Sequence, residues 1–193
     1  ATFIVLFFSK FVGSLFILIT VWVYYFFRDP ERYSINDDSY LVSPADGLIT
    51  DISEKSGPEE LRLENTSFTK ISIFMNVFNC HVNRIPSSGK VEEIYYKPGK
   101  FLNASLDKAS EENERNYFKI KLSNGEDIII VQIAGLIARR IVCEVEQGQE
   151  LKQGERIGMI RFGSRVDIYF KNKKVLAKLG QNVVAGESIL ASE

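Results

Sequence analysis

The sequence predicts a mainly β fold, a barrel or sandwich with tight hairpins, behind an N-terminal apolar helical segment. Three observations predict it. Residues 11 to 27 are an unbroken uncharged run rich in apolar side chains. Beyond Pro30 the pattern changes to short alternating runs separated by glycine-rich turns. Near the C-terminus a glycine-bracketed motif occurs twice. A chain of 193 residues suffices for one domain with a real core and argues against two. The expected division is a hydrophobic membrane segment over 1–27 and a β domain over 28–193.

In the N-terminal segment, Phe3 to Phe8 is one apolar patch and Phe11 to Phe27 a second, 17 residues long, with Lys10 the one charge among the first 27 residues. As a helix the longer run would extend about 26 Å, just short of a hydrocarbon core of roughly 30 Å. Spanning would need Lys10 to snorkel or the bilayer to thin. Trp22, Tyr24 and Tyr25 sit near one end, where aromatic rings favour the interface, and Arg28 and Arg32 follow, placing the downstream domain on the cytoplasmic side of the cell membrane. Tyr24-Tyr25-Phe26-Phe27-Arg28 is no signal-peptidase site. A buried core helix would show a polar face, which this run lacks. A single span and a hairpin dipping into one leaflet both fit.

The strands follow from alternation. Leu41-Val42, Gly47 to Ile52, Lys70 to Phe74, Val91 to Tyr96, Tyr117 to Leu122 and Asp127 to Ile133 each read as one. Ser123-Asn124-Gly125 joins the last two as a hairpin turn. Residues 103 to 116 read as a loop with a helical turn. Gly148-Gln149-Glu150-Leu151-Lys152-Gln153-Gly154-Glu155-Arg156-Ile157 matches Gly180-Gln181-Asn182-Val183-Val184-Ala185-Gly186-Glu187-Ser188-Ile189. Each pair of glycines brackets a tight turn that leads into a strand. The pattern resembles the hairpins of lipoyl/biotinyl-carrier barrels, in fold alone. Lys108, superficially like a lipoyl-lysine, lies outside both repeats.

Composition excludes several chemistries. With 24 basic and 25 acidic residues, no net charge draws the chain to nucleic acid. One histidine and two cysteines make a zinc site of the usual kind improbable, and no metal is expected. Cys80 and Cys143 form no C-x-x-C pair, which fits a reducing compartment. Chemistry that needs a proton carrier near neutral pH has His81 alone to use. Cys80 beside it suggests a Cys-His pair, yet neighbours on an extended strand point to opposite faces, and a buried apolar Cys is the better reading. Asp46, in Ser43-Pro44-Ala45-Asp46-Gly47, is either a turn residue or a carboxylate that orients a histidine. Gly163-Ser164 sits in a turn or bulge between Met159-Ile160 and Val166 to Phe170. It is either a β-turn or a nucleophile aimed at its own preceding carbonyl, glycine permitting the unusual backbone geometry. No G-x-S-x-G elbow surrounds Ser164, which argues against an α/β-hydrolase.

Several segments together resemble one family. These are the apolar start, Phe27-Arg28-Asp29-Pro30, Ser43-Pro44-Ala45-Asp46-Gly47, Phe74-Met75-Asn76 and His81-Val82-Asn83-Arg84. Lys100-Phe101-Leu102-Asn103-Ala104, Asp107 to Arg115 and Phe162-Gly163-Ser164-Arg165 complete the set. Over nearly its whole length the chain is similar to the phosphatidylserine decarboxylases, in particular their shorter bacterial and archaeal subfamily. The resemblance implies a zymogen that cuts itself between Gly163 and Ser164. Ser164 Oγ attacks the Gly163 carbonyl, an ester replaces the peptide bond, and elimination leaves a dehydroalanine that hydrolyses to a pyruvoyl group. This cofactor would cap a 30-residue fragment, 164–193, paired with 1–163 as a heterodimer of its own pieces. By the same resemblance Asp46 holds the imidazole, His81 takes the serine proton, and Ser164 later forms the Schiff base with phosphatidylserine in the membrane. Decarboxylation would yield phosphatidylethanolamine and CO2, with His81 the candidate proton donor.

Two departures stand out. The longer subfamily carries a second histidine where this chain has Arg84, and its Leu-Gly-Ser-Thr motif is Phe162-Gly163-Ser164-Arg165 here. Arg84, Arg165 and Asn103 are candidate substrate-binding residues, the arginines for phosphate or carboxylate. The diacyl or ether nature of the lipid and a homo-oligomer stay open. Two other classes compete: a membrane-tethered lipoyl-like carrier module, which has no use for Gly163-Ser164, and a membrane-bound serine hydrolase, which would keep an intact chain.

Overall fold

The computed structural model describes Ile4 and residues 9–100, 112–135, 140–161 and 164–193. Helix α1, Lys10–Phe26, comes first. Ser9 caps it, its Oγ accepting the Val12 N–H at 3.4 Å. Apolar residues surround the helix, and only Gly13 and Phe26 are buried. Among the described residues no helix is long and apolar enough to cross a membrane. The single-span reading of residues 1–27 is therefore corrected for α1: its 17 residues fall short of the roughly 20 that spanning takes.

The strands in chain order are β1 (Tyr40–Val42), β2 (Gly47–Ser56), β3 (Ser67–Met75), β4 (Val82–Arg84), β5 (Gly89–Lys97), β6 (Arg115–Leu122) and β7 (Asp127–Ile133). They continue as β8 (Ile141–Cys143), β9 (Glu150–Leu151), β10 (Arg156–Ile160), β11 (Ser164–Phe170), β12 (Lys174–Val175), β13 (Asn182–Val183) and β14 (Ile189–Ser192). Eight of them form an antiparallel sheet, in the order β13-β2-β3-β11-β7-β6-β5-β9, that curls into half a barrel. Two three-stranded sheets, β4-β10-β8 and β1-β14-β12, complete the β structure. The expected barrel or sandwich is thus an open half-barrel with two small sheets. Each strand read from the sequence is present, and Ser123-Asn124-Gly125 makes the β6–β7 turn, with Gly125 at φ 84°. Arg115 and Asn116, read as loop, belong to β6.

Alternation explains the packing. Ile128 and Ile130 of β7 enter the main core with Val166, Ile168 and Phe170 of β11. Ile129, Val131 and Ile133 face a second cluster with Phe68 and Tyr117. A strand covered on both faces reads as a continuous apolar run, which is how Asp127 to Ile133 reads, apart from Gln132.

The C-terminal repeat is half of a pseudo-two-fold symmetry. Ile49 exchanges backbone hydrogen bonds with Gly180 and Gln181, and Val91 does the same with Gly148 and Gln149. The Val42 N–H donates to the Pro86 carbonyl and the Arg84 N–H to the Pro44 carbonyl, both at 2.9 Å. The second half of the symmetry relates Ser43-Pro44-Ala45-Asp46-Gly47-Leu48-Ile49 to Ile85-Pro86-Ser87-Ser88-Gly89-Lys90-Val91. Glycine is required at both ends of this match. A Cβ on Gly47 would strike the Phe74 carbonyl, and one on Gly89 would lie 2.6 Å from the Lys121 carbonyl oxygen.

Candidate active site

β10, the central strand of the small sheet β4-β10-β8, ends at Ile160, and β11 of the half-barrel begins at Ser164. His81 enters from just before β4, and its carbonyl accepts the Ile160 N–H at 3.3 Å. The ring is fully buried and packs on Phe26 of α1, with centroids 4.3 Å apart. His81 Nδ1 lies 3.0 Å from the Asn79 carbonyl oxygen. A carbonyl only accepts, so Nδ1 carries the hydrogen and Nε2 keeps the lone pair that a base needs. Burial pushes the imidazole pKa down to about 4, the Asn79 carbonyl opposing the shift and the Arg28 charge adding to it. His81 is therefore neutral at neutral pH.

Ser164 begins β11, is fully buried, and pairs across to Met75 of β3. Its Oγ has no hydrogen-bond partner among the described residues. A buried hydroxyl without a partner is costly and calls for an explanation, a catalytic role being one. Gly163, the other half of the expected cut, lies outside the described residues, as does Asn103.

Asp46 is placed differently from the expectation. Its carboxylate accepts from Arg32 Nη2 at 3.1 and 2.9 Å and from the Ala185 N–H at 2.8 Å. The symmetry supplies the reason. Ser88, the counterpart of Asp46, accepts the N–H of Gln153, the counterpart of Ala185, at 3.1 Å. Asp46 thus caps a turn and anchors the segment after α1, while the contact that orients His81 at Nδ1 is the Asn79 carbonyl.

The two candidate arginines are also engaged within the protein. Arg84 donates to Asp29 Oδ1 at 2.9 Å, to the Gly154 carbonyl at 2.9 Å and to the Pro30 carbonyl at 3.2 Å, tying the post-helix segment to the domain. Arg165 pairs with Asp167 at 2.9 Å, and alternation along β11 puts both on the face opposite Ser164. Cys80 is buried with its thiol pushed up by desolvation, and its Sγ lies 3.4 Å from the Arg28 carbonyl, as expected for an inert cysteine.

Sequence reasoning missed Phe26 against His81, the Asn79 carbonyl, Arg32, and a buried amide chain of Asn83, Gln132 and Asn116. The one signal for the last was Gln132 interrupting an apolar run.

The sequence profile of the phosphatidylserine decarboxylases matches residues 19–191. The chain belongs to the phosphatidylserine decarboxylase family. A phosphatidylserine decarboxylase proenzyme of Pelagibacter ubique is 66% identical over 185 residues, covering 96% of this chain and 86% of its relative. The proenzyme of Ruegeria pomeroyi is 53% identical over 174 residues, 90% of this chain and 80% of that one. That of Rickettsia akari is 50% identical over 185 residues, 95% and 80% of the two chains. Membership in this decarboxylase family settles the competition with a carrier module or a serine hydrolase in favour of the decarboxylase.

Proposed function

We infer that this chain is a self-processing phosphatidylserine decarboxylase whose pyruvoyl group is made from Ser164. The observation that carries the reading is the buried Ser164 Oγ at the head of β11, without a hydrogen-bond partner among the described residues, in a family whose relatives are named proenzymes. A hydroxyl held out of water without a hydrogen-bond partner suits a group destined to be consumed.

Self-processing draws on the chain's own atoms. His81 Nε2 takes the Ser164 hydroxyl proton as Oγ bonds to the Gly163 carbonyl carbon. The Gly163–Ser164 C–N bond breaks and an ester links the two residues. Removal of the Ser164 Cα proton then breaks the Cβ–Oγ bond, and Gly163 leaves as a carboxylate. Water hydrolyses the dehydroalanine, releasing ammonia. A neutral imidazole whose hydrogen sits at Nδ1 suits the first step. Ser164 and His81 are both fully buried, which keeps competing water from the ester.

A pyruvoyl group at position 164 would supply the carbonyl electrophile and electron sink that amino-acid decarboxylation requires. The protein's part is to position and to move protons. His81 would deliver the proton to the carbon that loses CO2. Asp46 acts on the site indirectly, by holding Arg32 and the turn at Ala185. Arg28 donates to the Phe78 carbonyl at 2.9 Å and ties the end of α1 to the loop before His81. The exposed apolar surface of α1 suits the membrane in which the substrate resides. The cytoplasmic side is proposed from Arg28 and Arg32 alone.

Intact mass under denaturing conditions tests the reading. The wild-type chain should give fragments 1–163 and 164–193, the smaller lighter by one ammonia than a serine-headed peptide. Ser164→Ala should give one full-length species and release no CO2. CO2 release by a chain that stays whole would refute the pyruvoyl reading.

A further inference from the structure

A chain of three buried amides crosses the interior beside Ser164. Asn116 Nδ2 donates to Gln132 Oε1 at 3.3 Å, and Gln132 Nε2 donates to Asn83 Oδ1 at 2.8 Å. Asn83 Nδ2 reaches the Met75 sulfur at 3.7 Å. Asn83 and Gln132 are fully buried and Asn116 nearly so. Three amides in an apolar core cost more than apolar side chains of the same size unless they are satisfied. Strand propensity explains none of them, and the other buried residues of β7 are all isoleucine or valine.

Their placement is specific. Met75 belongs to β3 and Gln132 to β7, and these strands flank β11. Met75 pairs with Ser164 itself, and Gln132 pairs with Val166. The Asn83 amide therefore touches side chains from both neighbours of the strand that Ser164 begins. Asn83 stands two residues after His81, which immediately precedes β4. The small sheet that carries His81 is thereby fastened to the half-barrel that carries Ser164 by directional bonds, which fix a distance that apolar packing alone leaves free to slide.

We propose that Asn83 and Gln132 are positioning residues for self-processing, holding His81 in register with Ser164 through the Asn116–Gln132–Asn83 chain. The proposal rests on the reading that His81 and Ser164 carry out the cut. Neither amide touches the reacting atoms in this role. The effect is on alignment, to which such reactions are steeply sensitive.

The test follows cleavage over time in cell-free translation, scored per folded chain, for wild type, Gln132→Met, Asn83→Leu and the double variant. Each single variant strands a buried polar partner and should lose stability. The double variant removes both ends of the Asn83–Gln132 bond and strands only Asn116 Nδ2, so it should be more stable than the two single losses added together. The positioning role predicts that all three cut at least tenfold more slowly than wild type, the double variant included. Cleavage of the double variant at the wild-type rate would show that the amides serve stability alone and overturn the proposal. Should the methionine variant not fold, Gln132→Glu replaces it. The protonated acid can still donate to Asn83 and the carboxylate cannot, so its rate relative to wild type should fall as pH rises. A ratio that does not change with pH would overturn the proposal. A wild-type chain that is never cut would sink the self-processing reading itself and this inference with it.

Discussion

At the scale of the residue, the proposed self-cleavage uses His81 as its base, and the ring's surroundings set the pH at which it could act. The ordinary imidazole value is 6.5, and burial lowers it to about 4 in the folded chain. The folded state thus holds the ring neutral, while the unfolded chain takes up a proton as pH falls through the ordinary value. This group's contribution to stability is complete above that value, shrinks between it and about pH 4, and changes no further below. Its full size is roughly 3 kcal/mol. Self-cleavage should follow the folded value, staying level through the neutral range and failing only as pH approaches 4. A pH profile of the cleavage rate of freshly folded chain checks this. An acid limb centred on the ordinary histidine value would show that the acting base does not sit in the dry, Phe26-covered environment seen here.

At the scale of the element, β11 decides what happens after the cut. It is an inner strand of the half-barrel, paired with β3 from Ser164 to Phe170 and with β7 from Arg165 to Tyr169. The fragment that begins at Ser164 also contains β12, β13 and β14, and β13 pairs with β2 while β14 pairs with β1. Val166, Ile168 and Phe170 are fully buried, each stabilising by about 2 kcal/mol relative to exposure. Cleavage should therefore leave a single species in gel filtration that separates into two chains only in denaturant. Loss of the 164–193 fragment on simple dilution would contradict this sheet order. The strands themselves were legible, because alternation and unbroken apolar runs report directly which faces are covered. Asp127 to Ile133 was read with its observed bounds. The repeat at Gly148 and Gly180 was legible too, yet its partner repeat at Pro44 and Pro86 was not, since only prolines and glycines persist between the halves. Of the proposed site, Ser164 and His81 are the two residues that the sequence itself points to. The Asn79 carbonyl, a backbone group, has no signature in side-chain identity, and the commitments of Asp46 and Arg84 depend on where a distant segment, Asp29 to Arg32, is laid down.

At the scale of the whole molecule, α1 and the site are one arrangement. The helix ends at Phe26, whose ring lies on His81, and Arg28 then fastens the chain to the loop before the histidine. Along the rest of the helix the large side chains face outward: Phe11 is 81% exposed, Leu18 67% and Tyr24 85%. An apolar surface of that extent is unfavourable in water and favourable against lipid. Because Phe26 at the end of the helix packs on His81, seating the helix in a bilayer would bring the headgroup layer close to that end of the domain. Replacing Leu15 and Leu18 by glutamate should weaken binding to phosphatidylserine vesicles at least tenfold, given about 2 kcal/mol for each buried leucine. Self-cleavage should be unaffected, because neither leucine is buried against the domain. Turnover should fall on vesicle-borne lipid and hold on a short-chain, water-soluble phosphatidylserine. Vesicle co-sedimentation with both assays distinguishes the outcomes. Unchanged vesicle binding by the double variant would refute docking through α1, and equal loss on the soluble lipid would place the two leucines in the chemistry rather than in the approach to it.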